Sequence, residues 1–177
     1  MLLHLVRHAH AVTEEEDATR PLSTRGRAEV ARLAAFFAGN GAFRPAQIWH
    51  SPLPRSRQTA DDLIRRLGLD VVLLETPGLL PEDDPLALAE RLESYPRDCA
   101  DLALVGHEPH LGLLASLLVR GKPRAGLFAL SKAAALTLES VESTHKRSGL
   151  RRWRVRWLVA PELLPSIDDA AAIYLTK

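Results

Sequence analysis

The chain has 177 residues, of which 46% are hydrophobic and 25% charged, and its formal net charge is +1. These values are typical of one globular domain, so we expect residues 1–177 to form a single domain. The near-neutral charge gives no general reason to expect binding to nucleic acid or to an anionic membrane. Cys99 is the only cysteine, which excludes an internal disulfide. With no apolar run of about 18 to 20 residues and no signal-peptide core, the sequence indicates a cytoplasmic protein.

Short apolar runs alternate with segments of helical periodicity, a pattern typical of βαβ units. The predicted strands are residues 2–6, 46–49, 71–74, 102–105, 135–141 and 153–159. The predicted helices are residues 24–37, with Ser23 as N-cap, and residues 55–67, 85–95 and 111–119, with His110 opening the last. The first four strands are nearly continuously apolar, as strands covered on both faces are. We predict an α/β three-layer sandwich with a mainly parallel central sheet, helices on both faces and an antiparallel C-terminal strand or hairpin.

The segment RRWRVRW, residues 151–157, combines arginines with tryptophans and at first suggests a nucleic-acid patch. Its period is two, which places the arginines on one face and the apolar residues on the other: Trp153, Val155, Trp157 and Val159. Aromatic rings on the opposite face cannot interleave with the arginines, so an amphipathic strand near a sheet edge is favoured. The preceding ESTHKRSG is expected to be the loop of an antiparallel hairpin.

Polar residues follow three predicted strands that end at the same edge of the sheet. The segments are LVRHAH, SPLPRSRQTA and GHEPH, and they carry Arg7, His8, Arg55, Arg57 and His107. Ligands of open parallel sheets bind at this edge, because loops and helix N-termini meet there. Arginines at a helix N-terminus are unfavourable in the helix dipole unless an anion binds nearby, which favours an anion site.

Two histidines and at least two arginines without an obvious paired acid suit a phosphoryl group. Arginine offers a permanently charged, planar set of donors that fits phosphate oxygens, and neutral imidazole offers a nucleophilic nitrogen. We therefore predict that His8 attacks phosphorus while Arg7 and Arg55 neutralise the transferring oxygens. The other ring nitrogen of His8 then needs an acceptor, for which a backbone carbonyl is favoured.

These segments resemble the histidine phosphatase superfamily, which includes cofactor-dependent phosphoglycerate mutase and acid phosphatases. The motifs occur in order over most of the chain: LVRHAH, RPLSTRG, SPLPRSRQTA and VGHEPHLG. The short length and the RPLSTRG and GHEPHLG elements are most similar to the SixA-type phosphohistidine phosphatases. The resemblance implies that His8 is the nucleophile, that Arg7 and Arg55 bind phosphate, and that His107 donates to the phosphoryl oxygens in the transition state. It implies neither a metal nor an organic cofactor.

The sequence departs from the family pattern at positions that bear on the substrate. Ala9 follows His8 where many relatives have glycine, and Glu14 falls about where an asparagine of the phosphate pocket would be. Larger phosphomonoesterases of the superfamily carry an acidic proton donor after the third strand, and the candidates here are Glu75, Glu82, Asp83 and Asp84. Imidazole leaves phosphohistidine with less acid help than an alkoxide needs to leave an ester. A weak or absent acid therefore favours phosphohistidine in a protein as the substrate.

Three alternatives stay open. A phosphatase for a small phosphate ester would use the same residues with one acid from residues 82–84. The segment His8-Ala9-His10 superficially matches the metal pair of some hydrolases, although the chain is short for the roughly 250-residue barrel that often carries it. A noncatalytic phosphate-binding module would not need a nucleophile.

The other nearby residues have lesser expected roles. His10 is expected at a loop or rim, and Arg57 either at the phosphate or on the helix surface. The basic residues of the 120–124 loop are expected to be solvated. The expected partner is a phosphorylated protein or a small ester, and the protein is expected to be a monomer. The packing of residues 161–177 stays open.

Overall fold

The computed structural model describes residues 1–96 and 100–165, so Cys99 and residues 166–177 lie outside the described part. Strands and helices alternate along the described chain as predicted. Their bounds are β1 Leu2–Arg7, α1 Thr24–Asn40, β2 Gln47–His50, α2 Pro54–Leu67, β3 Val72–Glu75, α3 Pro85–Glu93, β4 Leu102–Gly106, α4 His110–Arg120, β5 Ala135–Thr144 and β6 Arg151–Val159. A short 3-10 helix, Pro161–Leu163, follows and contacts α1. Within residues 1–96 and 100–165, no helix is long and apolar enough to cross a membrane.

The six strands of the described chain form one sheet in the order β3-β2-β4-β1-β5-β6. β1 pairs in parallel with β4, and β2 pairs in parallel with both β4 and β3. β5 runs antiparallel to β1, and β6 returns antiparallel to β5 after a loop at residues 145–150. The predicted fold class, with its mainly parallel sheet and antiparallel C-terminal hairpin, is therefore confirmed.

Helices cover both faces of this sheet, because its central strands are apolar on both sides. On one face, Val6 and Val105 lie in a core with residues of α1 and α2. On the other face, Leu5 and Leu104 lie in a core with residues of α3 and α4. The strands that carry the polar motifs are thus held rigidly between two hydrophobic layers.

The predicted alternation along β6 is wrong in its second half. Trp153 lies in the core beneath α3 and α4, whereas Trp157 contacts Phe37 of α1 on the opposite face, with ring centroids 5.9 Å apart. The pairing with β5 shifts between Thr137 and Leu138, which places one extra residue in β6. An inserted residue turns the following side chains to the other face of the sheet. β6 does lie at the sheet edge, as predicted.

Candidate active site

The two histidines leave adjacent parallel strands at the same level. Arg7 at the end of β1 pairs with Gly106 at the end of β4, so His8 and His107 are the next residues of neighbouring strands. The backbone N–H of His8 donates to the Gly106 carbonyl at 2.9 Å. The two imidazole ring centroids lie 4.8 Å apart. The topology therefore brings together two histidines that are about 100 residues apart in the sequence.

The His8 imidazole is buried and has a defined orientation. Its Nδ1 lies 2.7 Å from the carbonyl oxygen of Ala9, which supplies the backbone acceptor expected for that nitrogen. Because a carbonyl oxygen only accepts, Nδ1 carries the proton and Nε2 keeps its lone pair. Burial, with smaller effects of the charges of Arg55 and Arg7, lowers the pKa of His8 to about 3 against the opposing effect of the Ala9 hydrogen bond. The imidazole is therefore neutral at physiological pH.

Thr59 binds the backbone of Ala9, the residue whose carbonyl orients His8. Its hydroxyl oxygen accepts from the backbone N–H of Ala9 at 3.1 Å and donates to the carbonyl of Arg55 at 2.7 Å. The acceptor of the His8 Nδ1–H is thus tied to the first turn of α2, which also carries Arg55.

The His107 imidazole is held by the hydroxyl of Ser51. The distance from Ser51 Oγ to His107 Nε2 is 2.6 Å, and Ser56 Oγ is farther away at 3.4 Å. Ser51 Oγ also accepts from the backbone N–H of Leu53 at 3.4 Å, and its own proton is available for the imidazole. When Ser51 donates to Nε2, the ring proton of neutral His107 is on Nδ1, a buried atom without a hydrogen-bond partner among the described residues.

The neutral form of His107 is the stable one. Burial lowers the pKa of His107 to about 3, and the nearby His8, Arg55 and Arg7 lower it in the same direction. His107 therefore offers an N–H donor beside His8 without adding a positive charge.

Two arginines are close enough to lower the pKa of both histidines. Arg7 donates from Nη1 to the carbonyl of Leu130 at 2.7 Å, and its buried Nε has no partner among the described residues. Arg55 is half-buried, and the pKa of its guanidinium is lowered by burial and by Arg20. The ion pairs within 4.0 Å in the described part of the chain include neither of the two arginines. The site therefore has positive charge to offer to an anion.

Glu108 and Arg7 bind the two peptide groups on either side of Leu130. Glu108 Oε1 accepts from the backbone N–H of Leu130 at 3.0 Å, while Arg7 donates to the Leu130 carbonyl. Burial raises the pKa of Glu108, and its hydrogen bonds to the backbone of Leu130 and Gly112 oppose the shift. A carboxylate with these two backbone donors holds the loop before β5 in place.

Arg57 lies on the surface of α2 rather than with the two other arginines. It is exposed and its Nε lies 3.8 Å from Asp61 one turn farther along the helix. This arrangement agrees with the helix-surface alternative for Arg57, since residues two positions apart on a helix point about 200° apart.

His10 belongs to a loop that packs against the start of α1. Its Nδ1 lies 2.8 Å from Ser23 Oγ, and its backbone N–H donates to Glu29 at 2.9 Å. Gly26 approaches so closely that a Cβ there would collide with the His10 carbonyl oxygen. The RPLSTRG motif therefore fastens the loop after β1, while Glu14 is exposed in that loop.

The four acidic candidates, Glu75 at the end of β3 and Glu82, Asp83 and Asp84 after it, are engaged elsewhere or exposed. Asp83 accepts from the Leu80 backbone N–H at 2.7 Å, and Asp84 caps α3 by accepting from Leu86 at 2.9 Å. Glu75 and Glu82 are exposed. In the described part of the chain, none of the four has a hydrogen bond or ion pair with the histidines and arginines of the site. Residues 1–96 and 100–165 also contain no group of three His, Cys, Asp or Glu placed to hold a metal.

Sequence reasoning did not identify the residues that support the site. Ser51 and Thr59 stand inside a motif whose arginines were recognised, but short hydroxyl side chains near a helix start usually cap the helix. Glu108 follows His107 directly, and its role depends on the loop that reaches it from residue 130. Lys132 lies near enough to His8 to lower its pKa, although no motif surrounds it.

Comparisons with known proteins agree with this architecture. The histidine phosphatase superfamily (branch 1) profile matches residues 3–77. An uncharacterized protein of Picosynechococcus sp. is 34% identical over 149 residues, which cover 76% of this chain and 87% of the relative. The chain belongs to the histidine phosphatase superfamily.

Solved structures show the same fold at low sequence identity. The protein histidine phosphatase SixA in complex with tungstate superposes with a TM-score of 0.77 at 23% identity, over 92% of this chain and 99% of that one. A mycobacterial glucosyl-3-phosphoglycerate phosphatase with VO3 superposes with a TM-score of 0.62 at 20% identity, over 90% and 99%. At these identities the likeness concerns the fold.

Proposed function

We propose that the protein is a phosphatase that forms a covalent phosphohistidine on Nε2 of His8. The observation that carries the proposal is the orientation of the His8 ring, whose Nδ1 is tied to the Ala9 carbonyl. Because the pKa of His8 is lowered to about 3, its imidazole presents a free lone pair at physiological pH. A site that only binds phosphate has no use for such a nucleophile.

The proposed reaction has two in-line steps. First, Nε2 of His8 forms a bond to phosphorus while the bond to the leaving group breaks. Arg7, Arg55 and the Nδ1–H of His107 stabilise the charge on the phosphoryl oxygens. Water then attacks phosphorus, the bond to Nε2 breaks, and phosphate leaves with His8 returned to its neutral form.

Phosphohistidine in a protein is the proposed substrate. The acidic candidates after β3 are bonded to backbone groups or exposed, which supports a leaving group that departs with little acid help. Imidazole is such a leaving group. A small phosphate ester is the second candidate, since the fold is also similar to that of a glucosyl-3-phosphoglycerate phosphatase.

The proposal also includes the setting of the reaction. The enzyme is proposed to act as a metal-independent, cytoplasmic monomer on a phosphorylated partner, without nucleic acid or membrane. The one-domain organisation of residues 1–177 is part of the same proposal.

The test is a side-by-side turnover assay with a phosphohistidine protein and a small phosphate ester. Wild type, His8→Ala and Arg57→Ala are compared, with and without a strong chelator. We expect wild type and Arg57→Ala to prefer phosphohistidine and to ignore the chelator, and His8→Ala to be folded and inactive. Turnover by His8→Ala at the wild-type rate contradicts the mechanism, preference for the ester moves the substrate to small molecules, and loss of activity with the chelator contradicts metal independence.

A further inference from the structure

The loop before β5 is fastened to the reacting strand on both sides of Lys132. Arg7 donates to the Leu130 carbonyl at 2.7 Å, and the backbone N–H of Ala133 donates to the His8 carbonyl at 3.2 Å. The backbone N–H of Arg7 also donates to Ala134 at 3.0 Å. The position of Lys132 relative to His8 is therefore set by the backbone.

The chain turns sharply immediately after Lys132. Ala133 is fully buried and has a φ of 57°, in the left-handed region that alanine seldom adopts. Such strain persists only where the surrounding contacts determine the conformation. The hydrogen bond from Ala133 to His8 is one of those contacts, so the residue that follows Lys132 is tied directly to the backbone of His8.

The ammonium group of Lys132 lies in a region crowded with positive charge. It lowers the pKa of His8 after the larger effects of Arg55 and Arg7, and it also lowers the pKa of His10. Lys132 is thus the third cation whose charge acts on His8.

Lys132 lacks a neutralising partner of its own. The pKa of its ammonium is lowered by burial and by Arg7. Glu29 is the acid that opposes this shift, and it already accepts from Arg25 and from the His10 backbone at 2.9 Å each. Lys132 forms no hydrogen bond or ion pair with the described residues around it.

Lys132 also borders a groove of about 490 Å³. The groove is lined by residues of α1, of the loop before β5 and of the 3-10 helix, namely Arg25, Glu29, Arg32, Ser131, Lys132, Pro161 and Glu162. Lys132 therefore has open space beside it in which a group of the substrate can be bound.

The charges exceed what the transferred group requires. A phosphoryl group carries about two negative charges, which Arg7 and Arg55 already match. A further partly buried cation without a partner is unfavourable in the free protein, and a second anion would relieve that cost.

We propose that Lys132 binds a second anionic group of the substrate, a carboxylate or phosphate adjacent to the transferred phosphoryl group. This inference rests on the proposed phosphatase function. For a phosphohistidine substrate, the group is an acidic side chain next to the phosphorylated histidine. For a small ester, it is a carboxylate or second phosphate on the same molecule.

The experiment compares pairs of substrates that differ only in the second charge. One pair is a phosphohistidine peptide with aspartate or asparagine beside the histidine, and the other is a phosphate ester with a carboxylate or its amide. Each is assayed with wild type, Lys132→Met, Lys132→Arg and Arg57→Met. The Arg57 variant is the matched control, because it removes an exposed positive charge at the helix surface.

We expect Lys132→Met to lower kcat/KM for the acidic member of the preferred pair by about 10- to 100-fold, mainly through KM. Its neutral partner should change by less than about twofold, and Lys132→Arg should retain most of the preference. Equal losses on both members of a pair overturn the proposal, as does an unchanged preference in Lys132→Met.

The result is separable from a failure of the proposed function. An active wild type that requires His8 but shows no charge preference refutes the second anion site alone. The pair with the larger effect identifies the source of the anion. Circular dichroism melting of each variant establishes that Lys132→Met is folded when it is assayed.

Discussion

Ser51→Ala tests whether the donor character of His107 depends on the serine hydroxyl. Ser51 is fully buried and its Oγ lies 2.6 Å from His107 Nε2. Removing the hydroxyl leaves Nε2 without its principal donor, so the ring proton is no longer confined to Nδ1. Loss of one buried hydrogen-bond partner costs about 1 to 3 kcal/mol, which corresponds to about a 5- to 150-fold decrease in kcat if it is expressed in the transition state.

The assay measures kcat and KM with a small phosphoramidate substrate, and Ser56→Ala is the matched control. Ser56 is equally buried, but its Oγ is 3.4 Å from His107 Nε2. We expect Ser51→Ala to lose much more kcat than Ser56→Ala while both variants remain folded. An unchanged kcat in Ser51→Ala, or equal losses in the two variants, would refute the assignment of the His107 proton.

Three further predictions concern residues around the site. Glu108→Ala should weaken vanadate binding and lower kcat about tenfold or more, because it releases the N–H of Leu130, the residue whose carbonyl Arg7 contacts. Glu108→Gln keeps an acceptor and should restore most of both, and equal defects in the two variants contradict this positioning role. Burial lowers the pKa of His4 to about 4, so the unfolded chain takes up a proton at this histidine before the folded protein does. The free energy of unfolding is therefore unaffected by His4 above pH 6.5 and decreases as the pH falls from 6.5 toward 4. In denaturant titrations, the free energy of unfolding should decrease from pH 7 to pH 5 by about 2 kcal/mol less in His4→Leu than in wild type. An identical pH dependence of the two proteins contradicts this. Gly26→Ala should lower the free energy of unfolding by about 1 to 3 kcal/mol, because its Cβ collides with the His10 carbonyl, and wild-type stability in the same titration contradicts the close approach.

The central architecture could be predicted because it depends on local patterns. Nearly continuous apolar runs identify strands that are covered on both faces, as found for Leu5 and Leu104. Once the sheet is parallel, residues that follow its strands must meet at one edge. That rule alone predicts that His8, Arg55 and His107 lie at one edge of the sheet.

The details that the sequence did not predict depend on contacts between distant segments. The bulge in β6 became visible only through its register with Thr137, since the sequence has an unbroken period of two there. Lys132 has no motif around it, and its place beside His8 follows from hydrogen bonds made by Ala133 and Leu130. Spacing along the chain carries no information about such loop contacts.

The most direct test of the account is to trap the intermediate. Wild type and His8→Ala are mixed with a labelled phosphohistidine protein, quenched within milliseconds and mapped by peptide analysis. The account predicts an acid-labile, base-stable label on the peptide that contains His8 in wild type, and none on the corresponding peptide of His8→Ala. Turnover by wild type without any label on the enzyme would contradict covalent catalysis by His8. A label that persists on the enzyme in His8→Ala would contradict it as well.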